Sequence, residues 1–129
     1  MEQPDYLIDT NTVIDYLGRK LSDKGMTFMD SVIDLVPNVS IITKIEVLGF
    51  NASASQYRIL TDFMDDSSIF ELTEEVADSC IDLRKKYKTK LPDAIIAATA
   101  LVYEFTLITG NVSDFKKIKN LKIVDPYSF

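Results

Sequence analysis

The apolar segment at residues 94–103 constrains the fold more than any other part of the chain. Thr99 is its only side chain outside the hydrophobic class, so a helix here would be apolar on every side and would have to be buried. Asp93 directly precedes this segment. A carboxylate beside a protein core needs either a structural or a chemical reason to be there.

Short apolar runs alternate with longer segments of helical periodicity along the chain. This alternation predicts an α/β fold with a mostly parallel central sheet, in which ligands bind at the carboxyl ends of the strands. The predicted strands cover residues 6–9, 39–42, 69–72, 106–109 and 123–124. The predicted helices cover residues 10–18, 23–36, 43–50, 53–64, 73–88 and 92–105.

The composition excludes several kinds of active site. The 129 residues include no histidine and one cysteine, which rules out histidine-based catalytic triads, HExxH zinc sites and structural zinc sites. Neither a Walker A nor a GxGxxG motif is present. An enzyme of this composition must work with carboxylates, whose oxygen atoms suit Mg²⁺ or Mn²⁺ better than zinc or copper.

The chain has no linker-like stretch rich in Gly, Ser or Pro, which predicts a single domain over residues 1–129. Cys80 stands at helical spacing from Val76 and Leu83 and is expected in the core. The N-terminal segment MEQPDYLIDT is acidic, and its apolar stretch is too short for a secretory leader or a membrane span. We therefore expect a cytoplasmic protein with no membrane segment.

Charge is spread unevenly along the chain. Residues 1–83 carry sixteen acidic and five basic side chains, whereas residues 84–129 carry four acidic and nine basic ones. Those nine lie in two runs, RKKYKTK at 84–90 and KKIKNLK at 116–122. Each run is typical either of a solvated surface or of phosphate binding. The candidates for contact with nucleic acid are Lys85, Lys86, Lys88, Lys116 and Lys117. The net charge of −6 argues against loose, nonspecific binding of nucleic acid.

Four acidic residues stand where the predicted fold favours a common site. Asp9 ends the first strand, and Asp114 follows the fourth strand. Glu46 lies in the first turn of the helix predicted after the second strand, and Asp93 opens the apolar helix. Asp9, Glu46 and Asp114 thus lie just beyond the carboxyl ends of strands, where an open α/β sheet gathers its functional groups.

Each of these acids also has a purely structural interpretation. Thr43 and Glu46 match a T-x-x-E capping box. Asp93 follows a proline at a helix start, where a negative charge is favourable against the helix dipole. Asp9 is suited to capping the next helix, and Asp114 to a turn. The patterns at single positions do not decide between structure and chemistry.

The four acids taken together favour chemistry. Carboxylates that share a partly buried pocket repel one another, so at neutral pH they need protons or a cation. A divalent cation would satisfy them and would also support phosphodiester hydrolysis, by activating water and neutralising charge on the phosphate. That chemistry requires no histidine.

Four segments of this chain resemble, in order and spacing, the motif regions of PIN-domain nucleases, among them the VapC toxins of toxin–antitoxin pairs. The segments are LIDTNTVIDYL, SIITKIEVLGF, LPDAIIAATALVYEFTLITGN and NVSDFKKIKNLKIVDPY. The most specific parts are the strand-ending D-T-N, the L-P-D-x-x-I-A-A-T-A run and the T-x-N-x-x-D-F motif at residues 109–115.

The resemblance implies a PIN-like α/β/α sandwich with an acidic pocket that binds Mg²⁺ or Mn²⁺ and hydrolyses RNA. It implies a homodimer and a cognate VapB-like antitoxin as partners. The acidic quartet of the family corresponds to Asp9, Glu46, Asp93 and Asp114. Its supporting polar residues correspond to Asn11, Thr109 and Asn111.

Gly110 departs from the family pattern, since many relatives carry a basic residue between the threonine and the asparagine. A phosphate contact from this position is therefore not expected, and the nearby lysine runs are candidates to replace it.

Two other functions are compatible with parts of the sequence. The segment Asp9 to Val13 distantly resembles the DxDx(T/V) motif of haloacid-dehalogenase phosphotransferases, but Asn11 stands where that motif has its second acid. A noncatalytic PIN fold that acts only as a binding scaffold is the other alternative. Such a scaffold would be expected to lack members of the acidic quartet, and all four are present.

Overall fold

The computed structural model describes residues 5–129, in which a five-stranded sheet lies between two layers of helices. The strands are β1 (Tyr6–Ile8), β2 (Asn38–Ser40), β3 (Ser68–Phe70), β4 (Thr106–Ile108) and β5 (Ile123–Val124). The helices are α1 (Thr10–Leu17), α2 (Asp23–Ile33), α3 (Ile41–Leu48), α4 (Ala54–Asp65), α5 (Glu74–Lys86), α6 (Leu91–Val102) and α7 (Val112–Phe115). A 3₁₀ turn, Pro126–Ser128, follows β5.

Each strand of the sheet is parallel to its neighbours, in the order β3-β2-β1-β4-β5. The chain leaves β1 toward β2 on one side and leaves β4 toward β5 on the other. The order therefore reverses between β1 and β4, and ligands of open α/β sheets bind at such a reversal, beyond the carboxyl ends of the strands. The predicted α/β/α sandwich is confirmed.

Alternate strand residues supply two separate cores, because successive side chains point to opposite faces of a sheet. Leu7 and Leu107 pack with α5, α6 and α7 on one face. Ile8 and Ile108 pack with α1, α2 and α4 on the other. Cys80 is buried in the first of these cores, as predicted.

The apolar segment forms α6 and is buried as expected. All side chains at residues 94–100 are buried, and the Thr99 hydroxyl donates to the Ile95 carbonyl at 2.8 Å, so its one polar group is satisfied inside the helix. No side chain caps the N-terminus at Lys90. Asp93 therefore lies in a first turn with free amide groups and a favourable dipole.

Several predicted boundaries were wrong by two or three residues: β2 ends at Ser40 rather than 42, β3 at Phe70 rather than 72, α5 at Lys86 rather than 88 and α6 at Val102 rather than 105. Helix α3 begins at Ile41, two residues before the predicted start, because Ser40 caps it by accepting a hydrogen bond from the Ile42 amide at 3.2 Å. Thr43 is thus a buried residue inside α3, and the predicted capping box between Thr43 and Glu46 does not form. Helix α2 ends at Ile33 rather than at residue 36. Helix α7 and the 3₁₀ turn were not predicted.

None of the helices among the described residues is long and apolar enough to cross a membrane. The first four residues of MEQPDYLIDT, on which the prediction of no leader partly depends, lie outside the described residues.

Candidate active site

Asp9 lies at the carboxyl end of β1 and is the most deeply buried of the four acids, with 7% of its surface exposed. Its Oδ1 accepts a hydrogen bond from the Thr12 amide at 2.9 Å. Asp9 therefore caps α1, as its structural interpretation predicted. Burial raises the pKa of Asp9, while hydrogen bonds from Thr109 and Thr12 oppose the rise. The capping role orients the carboxylate without neutralising it.

Glu46 is positioned by a residue that the motif analysis did not single out. Thr10 Oγ1 donates to Glu46 Oε1 at 2.7 Å and lies 3.1 Å from Thr43 Oγ1. Because α3 starts at Ile41, Glu46 lies in its second turn, not in the first as predicted. Its carboxylate is exposed and is linked to α1 by a contact between distant parts of the chain.

The pKa of Asp93 depends on the charges around it. Burial raises the pKa of this half-buried carboxyl, and the charges of Asp114, Asp9 and Glu46 raise it further. Lys90 opposes that rise. Asp93 therefore lies within the electrostatic field of the other three acids, although the chain separates them widely.

Asp114 lies on α7 and is held by the loop after β4. The Asn111 side-chain amide donates to Asp114 Oδ2 at 2.9 Å, and the Asn111 backbone amide donates to Thr109 Oγ1 at 3.0 Å. Thr109 is fully buried, whereas Asn111 and Asp114 are exposed. The T-x-N-x-x-D motif thus forms a local network that runs from the sheet out to the carboxylate.

The acidic site is more open than the sequence indicated. Only Asp9 is buried, Asp93 is half-buried, and Glu46 and Asp114 are exposed. Within residues 5–129, no three acidic side chains are placed as a ready-made ion site. The oxygen donor set still fits Mg²⁺ or Mn²⁺, since Mg²⁺ usually keeps several waters and binds through one or two carboxylates.

One cavity of about 410 Å³ opens at the reversal between β1 and β4. Its lining combines carboxylates, amides and one aromatic ring, from residues Asp9, Asn11, Asp15, Gly110, Asn111 and Tyr127. The predicted residues Asp9, Asn11 and Asn111 are therefore brought together. The sequence analysis did not single out Asp15, which lies on α1, or Tyr127. Tyr127 reaches the site from the 3₁₀ turn after β5, and no local pattern marks it.

A second cavity, of about 460 Å³, is lined by two of the acids and is rich in cations. Asp93 and Asp114 line it together with Arg84, Lys88, Thr89, Lys90 and Lys117. Among the five lysines singled out in the sequence, Lys88 and Lys117 line this cavity, whereas the described lining does not include the other three. The Lys117 ammonium donates to the Lys88 carbonyl at 2.7 Å, which joins the two basic runs.

Three solved structures illustrate what this chain is similar to. A toxin–antitoxin complex from Klebsiella pneumoniae shares 31% identity, covering 95% of this chain and 98% of that chain, with a TM-score of 0.79. DNA-bound VapBC from Salmonella typhimurium shares 20% identity, covering 96% and 99%, with a TM-score of 0.79. FitAcB from Neisseria gonorrhoeae shares 21% identity, covering 96% and 99%, with a TM-score of 0.77. At these lower identities, the last two show a shared fold alone.

A comparison with curated proteins gives no significant match. The family model of the PIN domain, however, matches residues 6–121, which include all four acids and both basic runs up to Leu121. The predicted resemblance to PIN-domain proteins is confirmed by this match, and the Klebsiella structure shows that the chain is similar to a protein of a toxin–antitoxin complex. The chain belongs to the PIN-domain family.

Proposed function

We propose that this protein is a Mg²⁺- or Mn²⁺-dependent endoribonuclease and the toxin of a toxin–antitoxin pair. The observation that carries the proposal is the placement of the acids: Asp93 and Asp114 line one cavity, Asp9 lines the other, and the charges of Asp114, Asp9 and Glu46 act on the Asp93 carboxyl. Burial and neighbouring negative charges disfavour the ionised form of such a carboxyl, and a bound cation would favour it. A bound divalent ion would resolve the repulsion and serve the chemistry of phosphodiester hydrolysis.

The four carboxylates are the residues that would hold the ion, directly or through water. Asp9 is the best oriented of them, because the Thr12 amide fixes one of its oxygens. Glu46 and Asp114 are each held by one side-chain hydrogen bond, from Thr10 and from Asn111. When bound, the ion supplies an activated water and neutralises charge on the phosphate.

The substrate proposal rests on the cation-rich cavity. Arg84, Lys88, Lys90 and Lys117 lie beside Asp93 and Asp114, so a phosphate attracted by these cations would arrive next to the acids. Phosphate contacts of this kind supply affinity without reading sequence. The choice of RNA over DNA follows from the likeness to VapC toxins.

The partner proposal follows from the relatives and from one apolar groove. The Klebsiella relative was solved as a toxin–antitoxin complex, which supports a VapB-like antitoxin for this chain. A groove between α1 and α4 is lined by Ile14, Leu17, Phe50 and Ile59, of which Phe50 and Ile59 are about half exposed. An amphipathic helix suits such a groove. We also propose a homodimer, to be tested by light scattering of the purified protein.

The test of the enzyme proposal is cleavage of single-stranded RNA by the purified protein, with Mg²⁺, with Mn²⁺ and with chelator. Single-stranded DNA of the same sequence is the matched control. We expect RNA fragments only when a divalent ion is present. The absence of cleavage, combined with no heat of Mn²⁺ binding in calorimetry, would instead support the noncatalytic scaffold.

A further inference from the structure

We propose that Tyr127 forms a fixed aromatic wall that contacts a base of the RNA next to the scissile phosphate. The inference rests on the proposed ribonuclease function and deepens it by naming a contact to a nucleobase. Tyr127 lines the same cavity as Asp9, Asn11 and Asn111, and 40% of its surface is exposed. Aromatic side chains at the border of such a cavity are the groups on which single-stranded bases stack.

Gly110 explains why the ring can lie there. A Cβ at Gly110 would lie 2.5 Å from Cδ2 and 2.6 Å from Cε2 of Tyr127, so one edge of the ring occupies the space of a side chain at this position. The departure from the family pattern at Gly110 thus has a structural counterpart. In this chain an aromatic ring occupies the space that a side chain at position 110 would fill.

The hydroxyl group fixes the ring at a second point. The Tyr127 hydroxyl donates a hydrogen bond to Asp15 Oδ2. Burial and this hydrogen bond raise the pKa of Tyr127, so the hydroxyl stays protonated and keeps donating across the physiological range. With an edge on Gly110 and the hydroxyl on Asp15, the ring is held on two sides, and its exposed part borders the cavity.

The turn that carries Tyr127 is itself tied to the fold. Asp125 Oδ1 accepts a hydrogen bond from the Tyr127 amide at 2.9 Å. The carbonyl of the buried residue Pro126 packs so closely on Gly25 that a Cβ there would lie 2.6 Å from its oxygen. Because the ring is already ordered, stacking of a base on it requires little loss of conformational freedom.

The cavity favours a base over a phosphate at this point. Its described lining includes two carboxylates and no basic side chain, whereas the cations line the separate cavity that contains Asp93 and Asp114. A strand bound across the site would therefore place its backbone toward the cations and a base toward Tyr127. An aromatic contact of this kind tolerates all four bases.

The experiment first confirms that wild-type protein cleaves RNA, and then uses a short oligoribonucleotide that spans a cleaved position. An abasic nucleotide is placed at each position in turn, and binding is measured with Ca²⁺ in place of Mg²⁺. One abasic position should weaken binding to wild-type protein by about tenfold, the typical loss of one base–aromatic stack. Tyr127→Leu should bind the intact RNA about tenfold more weakly and should lose this dependence on the abasic position.

Two further variants separate the ring from its hydroxyl. Tyr127→Phe keeps the ring and should retain most of the dependence, whereas Gly110→Ala introduces the Cβ that displaces the ring and should behave like Tyr127→Leu. Tyr57→Leu, which removes an exposed tyrosine on α4, is the matched control and should have no effect. Circular dichroism confirms folding of each variant.

RNA cleavage with an unchanged abasic profile in Tyr127→Leu would overturn the inference and leave the ribonuclease proposal intact. Equal losses at every abasic position would likewise overturn it, because they indicate a general disturbance. Absence of cleavage by the wild-type protein would instead overturn the proposed function itself.

Discussion

The two cavities that the acids line are similar in size and opposite in chemistry. The cavity at the reversal between β1 and β4 is lined by carboxylates, amides and an aromatic ring. Its neighbour brings one arginine and three lysines close to Asp93 and Asp114. The first has the groups to hold a cation and a base, and the second has the groups to hold a phosphate backbone. The difference assigns the proposed base contact to the first cavity and the proposed backbone contacts to the second, while acids of the quartet line both.

The largest expected effect comes from removing charge from the acidic quartet. Asp9→Asn or Asp93→Asn should reduce RNA cleavage by about 100-fold or more, since a metal ion contributes several kcal/mol to such reactions. The asparagine at position 9 keeps an oxygen that can accept from the Thr12 amide, so the cap is preserved. RNA binding should change much less than cleavage.

Asp62→Asn is the matched control, because Asp62 is an exposed acid on α4 outside both cavities. Its cleavage rate should equal that of wild type. Undiminished cleavage by folded Asp9→Asn and Asp93→Asn would remove both acids from the mechanism.

The second effect is stabilisation by the ion itself. At a Mg²⁺ or Mn²⁺ concentration of about 100 times Kd, the free energy of unfolding should rise by about 2.7 kcal/mol. For a chain of this size the unfolding midpoint should rise by roughly 10 °C, as measured by calorimetry. Asp9→Asn should abolish most of the rise. An equal rise in Asp9→Asn, or with KCl at matched ionic strength, would argue against binding at the acids.

A smaller effect is expected on the binding side. The double variant Lys88→Gln/Lys117→Gln should flatten the plot of log binding constant against log salt by about 1.4, or about 0.7 for each lost contact to a single strand. The cleavage rate at saturating RNA should change little, because neither lysine is a member of the acidic quartet.

Lys85→Gln/Lys86→Gln makes the matched control for that pair. It removes the same charge from exposed residues at the end of α5, outside the described lining of the cation-rich cavity. A slope that flattens equally in both double variants would mean that the net charge of the surface, not the cavity, determines RNA binding.

The smallest effect concerns pH. The folded-state pKa values of Asp9 and Asp93 are raised above the usual value of 3.8, so the folded protein binds more protons than the unfolded chain between that value and the raised ones. The metal-free protein should therefore gain stability from these two groups as pH falls into this window, and lose it as pH rises.

Because other carboxylates titrate in the same range, the measurement is the difference in unfolding midpoint between wild type and Asp9→Asn at several pH values without metal. The variant should be the more stable at neutral pH, and its advantage should shrink on acidification. A constant difference would show that folding does not raise the pKa of Asp9. Excess Mg²⁺ should reduce the difference at neutral pH.

Much of this fold follows from patterns within short stretches of sequence. The apolar run at residues 94–100 predicted a buried helix, and α6 is buried there on all sides. The alternation of strands and helices predicted the parallel sheet. The prediction of a capping box at Thr43 was wrong, because Ser40 caps α3 and the helix begins two residues earlier.

The basic runs show where local patterns stop being informative. Within RKKYKTK, helix α5 ends at Lys86, and Tyr87 continues in an extended conformation. Lys85 and Lys86 thus belong to a solvated helix end, whereas Lys88 and Lys90 belong to the loop that leads to the N-terminus of α6. Composition alone does not separate these lysines, since all of them lie within one charged run.

The sequence by itself determined the class of fold, the buried helix and the four acids with their oxygen-only chemistry, because these depend on periodicity and on residue type. Tertiary structure decided which cations reach the acids, that Thr10 holds Glu46, and that Tyr127 lies on Gly110. The reason is physical. Periodicity depends on neighbours along the chain, whereas the walls of a cavity depend on contacts between residues that only the packed sheet and helices bring together.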